Sequence, residues 1–328
     1  MKILLAYDRW SGFSRHEDVP EDFGAEFDDE KTIQALVQAM RAGGHDAGRL
    51  PVDEDFCQRL RESRPDMVFN IAEGTRGPSR ESLVPAWLDH AGIPYTGSDG
   101  LVLGCTLDKA LAKTLVRADG VRTVPFQRVS DPEELNVDRL QFPVFVKPNG
   151  EGSSMGIREN SLVESAAELR KRVEWVLRDY QQDCLVEEFA PGREFCVGLL
   201  GNEDPEVLPV VEVRSASSFY SYEHKSRHEK ELICPADIPE DMKDEMRRMA
   251  LMTYRSLRCR DLARVDLKLD RNGRPSFLEI NPLPGLSPDY SIYPHQGRTA
   301  GYSYEQMISR IIESARKRHE DTIERMTT

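Results

Sequence analysis

Two alternating stretches joined by a turn constrain this chain more than any other feature. Residues 263–269 read Ala-Arg-Val-Asp-Leu-Lys-Leu, and residues 277–287 read Phe-Leu-Glu-Ile-Asn-Pro-Leu-Pro-Gly-Leu-Ser. Between them Asp-Arg-Asn-Gly-Arg supplies a turn, so the segment predicts a β-hairpin. Side chains two apart on a strand share a face, which aims Glu279 and Asn281 the same way, and pairing can bring Asp266 beside them. Two carboxylates and an amide suit Mg²⁺, which binds through one or two carboxylates while phosphate oxygens complete its octahedron. A nucleotide-bearing Mg²⁺ is the natural guest. Read alone, the same residues also fit the wet face of a half-buried strand.

Composition narrows the classes. A chain of 328 residues, 39% hydrophobic, suits two or three compact units with real cores. A formal charge of −13 opposes general binding to nucleic acid or to an anionic membrane. The six cysteines are scattered without a C-x-x-C pair, which favours reduced thiols over zinc or disulfides, and hence the cytoplasm. The first apolar run is too short for a signal peptide, and no stretch approaches 18 apolar residues.

Along the chain, residues 2–7 predict a buried strand, and 10–27 a polar loop. A helix capped by Asp28 or Asp29 follows, with Ile33, Leu36, Val37 and Met40 on one face and Gly43-Gly44 at its end. A strand at 67–71, a loop at 72–80 and a helix at 82–91 complete a small parallel α/β unit, whose ligands belong at the carboxyl ends of its strands. Residues 92–97 read as a return strand and linker. Helices are predicted at 107–118, 162–179, 242–257 and 304–325. Strands are predicted at 142–148, 184–189, 194–200 and 208–213. Residues 215–231 are polar without apolar period and read as a lid. The expected division is 1–96, 97–185 and 186–328, an α/β unit followed by mixed α+β units.

Lys147 ends a strand and precedes Pro-Asn-Gly-Glu-Gly-Ser-Ser-Met-Gly, a loop whose glycines let backbone N–H groups approach an anion closely. That is phosphate-binding chemistry, although Gly/Ser loops between strands are common. Lys109 could be a second phosphate lysine or an exposed helix lysine. Glu187, Glu188 and Glu194 flank a turn and could meet an adenine and a ribose, or could be solvated.

Six motifs in order resemble the ATP-grasp carboxylate–amine ligases, and most closely the D-alanine–D-alanine ligase family. They are Gly-Ile-Pro-Tyr-Thr-Gly at 92–97, Leu-Asp-Lys at 107–109, Val-Phe-Val-Lys-Pro with Gly-Ser-Ser-Met-Gly at 144–156, Val-Glu-Glu-Phe with Gly-Arg-Glu-Phe at 186–195, Ala-Arg-Val-Asp at 263–266, and Glu-Ile-Asn-Pro-Leu-Pro-Gly at 279–285. The resemblance implies three domains with ATP gripped between the second and third. By position, Lys109 and Lys147 should contact phosphates, with Ser153 and Ser154 on the loop closing over them. Glu187, Glu188 and Ala190 should line the adenine pocket and Glu194 should bind ribose, while Asp266, Glu279 and Asn281 should hold one or two Mg²⁺ ions. Arg264 matches the oxyanion-holding arginine, and Lys225 a lid lysine; with Ser153 these form the implied catalytic set. The implied reaction joins two small molecules, amino acids or similar, through an acylphosphate; a homodimer is allowed.

The departures concern the substrate. Ser226 stands where a lid tyrosine is common, and Tyr290 where a serine usually meets a substrate carboxylate, with Ser287 and Ser291 nearby. The family's His-Gly-x-x-Gly-Glu-Asp-Gly loop appears here as Asn-Ile-Ala-Glu-Gly-Thr-Arg-Gly-Pro-Ser-Arg-Glu at 70–81, where Arg76 and Arg80 could receive a carboxylate. No clean counterpart of the family's N-terminal glutamate is evident around residues 26–30. The acidic run from Glu17 to Glu30 could select a cationic substrate or be merely solvated. His224 and His228 in the lid lack a third metal ligand.

Overall fold

A computed structural model describes residues 1–8, 20, 22, 24, 26–215 and 230–327. Most of the expected lid, with Lys225, Ser226, His224 and His228, lies outside the described residues.

Among the described residues three sheets organise the chain. The first is parallel, with β1 (Lys2–Asp8) between β2 (Asp46–Val52) and β3 (Met67–Asn70). Helix α1 (Glu30–Ala42) starts at Asp29, whose carboxylate accepts the Thr32 N–H at 2.7 Å. Its apolar stripe, Ile33, Leu36, Val37 and Met40, is buried. β2 and α2 (Phe56–Ser63) escaped the sequence reading. β2 lies at a sheet edge, so Pro51 and polar residues break its alternation without a structural penalty. Helix α3 (Leu83–Ala91) ends at Gly92, and Tyr95 then bridges to Val68 in parallel sense.

Helices α4 (Gly100–Leu107) and α5 (Lys109–Ala118) meet at Asp108, which caps α5 by accepting the Leu111 N–H at 2.9 Å. This break sets Lys109 at the first turn of a helix. The second sheet runs β4 (Phe126–Val129), β7 (Cys184–Glu188), β5 (Val144–Pro148), β6 (Leu162–Val163). Residues 162–163 pair with β5, so α6 begins later than its period alone predicts, at Ala166 behind a Ser165 cap. Strand β7 spans position 185 and belongs wholly to this sheet; the chain changes sheets at residues 189–193.

The third sheet runs β11 (Lys230–Ile233), β10 (Val211–Ser215), β8 (Glu194–Leu200), β12 (Leu262–Leu269), β13 (Pro275–Asn281), with β9 (Glu206–Val207) beside β8. Helix α7 (Glu240–Ser256) buries Met246, Met249, Ala250 and Tyr254 against it, and Val102 and Val116 from α4 and α5 enter the same core. The short α8 (Ile292–Thr299) contains Pro294 and Gly297, which hide it from a periodicity reading. The last helix, α9 (Tyr304–Thr327), returns to the first sheet, where Ile308, Ile311, Ile312 and Ala315 share a core with the stripe of α1. All six cysteines are unpaired, and no described helix is long and apolar enough to cross a membrane.

Candidate active site

The hairpin pairs as its sequence predicts, Asp266 opposite Glu279 and Arg264 opposite Asn281. On a regular strand Phe277 and Glu279 would share a face. A bulge between Asp266 and Leu267 absorbs Leu278, so Phe277 stays in the core while Glu279 and Asn281 border a cavity. Arg264 grips Asp266 with both arms, Nε and Nη2 each at 2.7 Å, and the Asn281 amide donates to the same carboxylate at 3.1 Å.

Cations converge from the neighbouring elements. Lys109, at the start of α5, approaches Glu279 to 3.4 Å. Lys147, at the end of β5, pairs with Glu187 of β7 at 2.8 Å, and Lys113, one turn beyond Lys109, takes the other oxygen of Glu187 at 2.9 Å. Burial alone would raise both carboxylates. Lys113 and Lys147 around Glu187, and Lys109, Lys147 and Arg264 around Glu279, instead hold each at about 2. Burial opposes the charge on Lys147, but Glu187 and Glu279 outweigh it and keep the ammonium protonated.

All of these groups except Lys113 line one cavity of about 340 Å³. Its wall includes Lys109, Phe145, Lys147, Ser153, Ser154, Glu187 to Ala190, Glu194, Arg264, Asp266, Lys268, Glu279 and Asn281. Ser153 and Ser154 are both left-handed, with φ of 52° and 62°, an unfavourable conformation for two consecutive serines that is held by the tight turn from Gly152 to Met155. Glycine is required at 156, where φ is 72° and a Cβ would collide with Pro148. Among the described residues no three His, Cys, Asp or Glu side chains converge on one point. Asp266, Glu279 and Asn281 offer two carboxylates and an amide, a donor set that would suit a Mg²⁺ ion taking its remaining oxygens from phosphate and water.

The substrate-side expectations separate. Tyr290 and Ser291 line the cavity; Ser287 is buried behind them, its N–H donating to Ser291 Oγ at 3.1 Å. Arg76 and Arg80 border a second cavity instead. The Arg80 guanidinium donates to Gly150 O at 2.8 Å and to Glu26 and Glu151, both at 3.1 Å, so it clamps the Gly/Ser loop to the first unit. Glu26 also accepts the Gly152 N–H at 2.7 Å, and Asp22 accepts the N–H of Gly156 at 2.9 Å.

Sequence reasoning missed Lys113, Glu73 and Glu81. Glu73 and Glu81 line the main cavity beside Glu26 and Asp28. Burial, reinforced by the Glu26 charge, raises both, Glu81 to about 8. The visible signal was the Glu-Gly at 73–74 where the family loop has His-Gly. Lys113 carried a weaker one, a lysine on the apolar side of an otherwise regular helix.

Known proteins agree with this geometry. A sequence model of the family described as D-ala D-ala ligase C-terminus matches residues 115–313. An uncharacterized protein of Sinorhizobium fredii, y4sG, is 40% identical over 302 residues, spanning 88% of each chain. A D-alanine–D-alanine ligase of Pelotomaculum thermopropionicum is 32% identical over 296 residues, covering 87% of this chain and 91% of its own. The crystal structure of a Bacillus anthracis D-alanine–D-alanine ligase complexed with ATP superposes with a TM-score of 0.78 at 24% identity, over 98% of this chain and 99% of that one. The chain therefore belongs to the D-alanine–D-alanine ligase family and is an ATP-dependent carboxylate–amine ligase of the ATP-grasp fold.

Proposed function

We propose that the enzyme joins two amino acids, or molecules like them, at least one with an additional cationic group, in the reducing cytoplasm that six unpaired cysteines favour. A substrate carboxylate oxygen attacks the γ-phosphorus of ATP, ADP leaves, and an acylphosphate forms. The amine nitrogen of the second substrate then attacks the activated carbonyl carbon, inorganic phosphate departs, and the amine gives up a proton. Phosphoryl transfer asks the protein for placed cations rather than covalent help. Lys109, Lys147 and the N–H groups of the loop at 150–156 take the phosphates. The wall from Glu187 to Ala190 takes adenine, and Glu194, beside Lys268 at 3.5 Å, takes ribose. Arg264 leaves Asp266 to hold the oxyanion. A Mg²⁺ ion held by Asp266, Glu279 and Asn281 would neutralise phosphate charge. ATP lies between the second and third of three units, whose change of sheet at residues 189–193 forms the hinge.

The observation that carries this reading is the single cavity uniting those lysines, the Gly/Ser loop and the hairpin acids. The substrate class rests on the acids of its wall, Glu26, Asp28, Glu73 and Glu81. An ammonium entering there would favour the ionised forms of Glu73 and Glu81, whose titration burial and the Glu26 charge otherwise raise. Tyr290 adds bulk where the family's serine meets a carboxylate, so preference should move away from D-alanine. The test is ADP release across D- and L-amino acids, singly and in pairs, with dipeptide detection. Cationic amino acids should exceed D-alanine as substrates; D-alanine alone giving its dipeptide more efficiently than every other pairing would overturn the substrate class.

A further inference from the structure

Lys113 sits in the middle of α5, fully buried and outside the walls of both cavities described above. Its ammonium lies 2.9 Å from Glu187, donates to the Phe277 carbonyl at 3.0 Å, and stands over the rings of Phe126 and Phe277 at 6.0 and 5.7 Å. A buried charge of this kind is costly, and an apolar side chain of similar length would fill the space without that cost. What the charge does is visible in its partner. Glu187 is shared between two lysines, of which only Lys147 reaches the cavity. One carboxylate between two ammonium groups leaves the trio one positive charge in excess, and Lys147 is the ammonium of the two that lines the cavity.

We infer that Lys113 is a positioning residue: it occupies Glu187 from behind, so that the Lys147 ammonium stays available to the nucleotide's phosphates instead of being neutralised by its own strand neighbour. The bond to Phe277 adds a geometric part. Phe277 lies two residues before Glu279, so Lys113 ties the adenine-side strand β7 to the hairpin strand β13 across three elements. This inference rests on the ATP-site reading above.

The test separates charge from structure by varying the ligand's phosphates. Lys113→Met should bind ADP and a non-hydrolysable ATP analogue about tenfold more weakly by calorimetry, while adenosine affinity stays within about twofold. Lys113→Arg, which keeps the charge, should recover most of the loss. If Lys113→Met does not fold, Lys113→Gln carries the same comparison, because its amide can still donate to Phe277. Equal losses for adenosine and the ATP analogue, or no loss for either, would overturn the inference and leave Lys113 a structural residue. A parent protein that binds no adenine nucleotide would instead remove the ligase reading itself.

Discussion

Glu279→Gln removes one charge from the hairpin at constant volume, and the structure sets the size of the effect. The carboxylate is 26% exposed and is held at about 2 against an ordinary 4.5, burial being outweighed by Lys109, Lys147 and Arg264. At roughly 1.4 kcal/mol per tenfold, that difference is a net attraction of about 3 kcal/mol. The group ionises more readily in the native state, so its contribution is present above pH 4.5 and is lost as pH falls toward 2. At pH 7 the variant should therefore melt about 4 °C lower than the parent, with the gap closing below pH 4. Turnover should fall by more than about a hundredfold, the upper end of what losing a mere outer-shell partner of a metal costs. Differential scanning fluorimetry across pH and ADP release at saturating Mg²⁺ measure both. A folded variant with near-parental turnover would refute the metal role, and a melting gap independent of pH would refute the electrostatic account.

Two further outcomes follow from the same charges. Lys147→Ala should weaken an ATP analogue by about ten- to a hundredfold, the value of a charge-assisted contact, and should also lower the melting temperature, because it removes a cation that stabilises Glu187 and Glu279; an unchanged dissociation constant returns this lysine to a purely structural pairing with those acids. Glu81, raised to about 8 chiefly by burial, keeps its proton in the native state while the unfolded chain loses it near 4.5, so stability should decline by about 2 kcal/mol as pH rises from 6 to 8. Glu81→Gln should flatten that slope, and chemical denaturation at the two pH values would expose a slope that persists.

The hairpin acids were legible because a period of two assigns faces without any knowledge of neighbours, and their pairing needed only a turn between them. The bulge at Leu278 was not legible, yet it alone reconciles a buried Phe277 with a cavity-lining Glu279. Lys113 reads as an ordinary helix lysine until β7 and β13 are laid against α5, because its burial comes wholly from elements distant in sequence. The roles of Asp22 and Glu26 were hidden for a similar reason: a polar loop has no period, and both carboxylates act on the Gly/Ser loop more than a hundred residues away. Arg80 was noticed for its fork, but its partners are the protein's own acids.

The return of α9 to α1 has a consequence for how the chain is made. Ile308, Ile311 and Ile312 complete a core begun by Ile33, Leu36 and Val37, and Arg318 donates to the carbonyls of Tyr95 at 2.8 Å and Gly97 at 3.2 Å. The first sheet thus leaves the ribosome without one of its walls. At roughly 5–20 residues per second the missing helix follows on the order of ten to fifty seconds later, and until then the stripe of α1 is exposed. The order of synthesis makes the amino-terminal unit the last to close, so truncation before α9 should strand it as an open, chaperone-dependent intermediate.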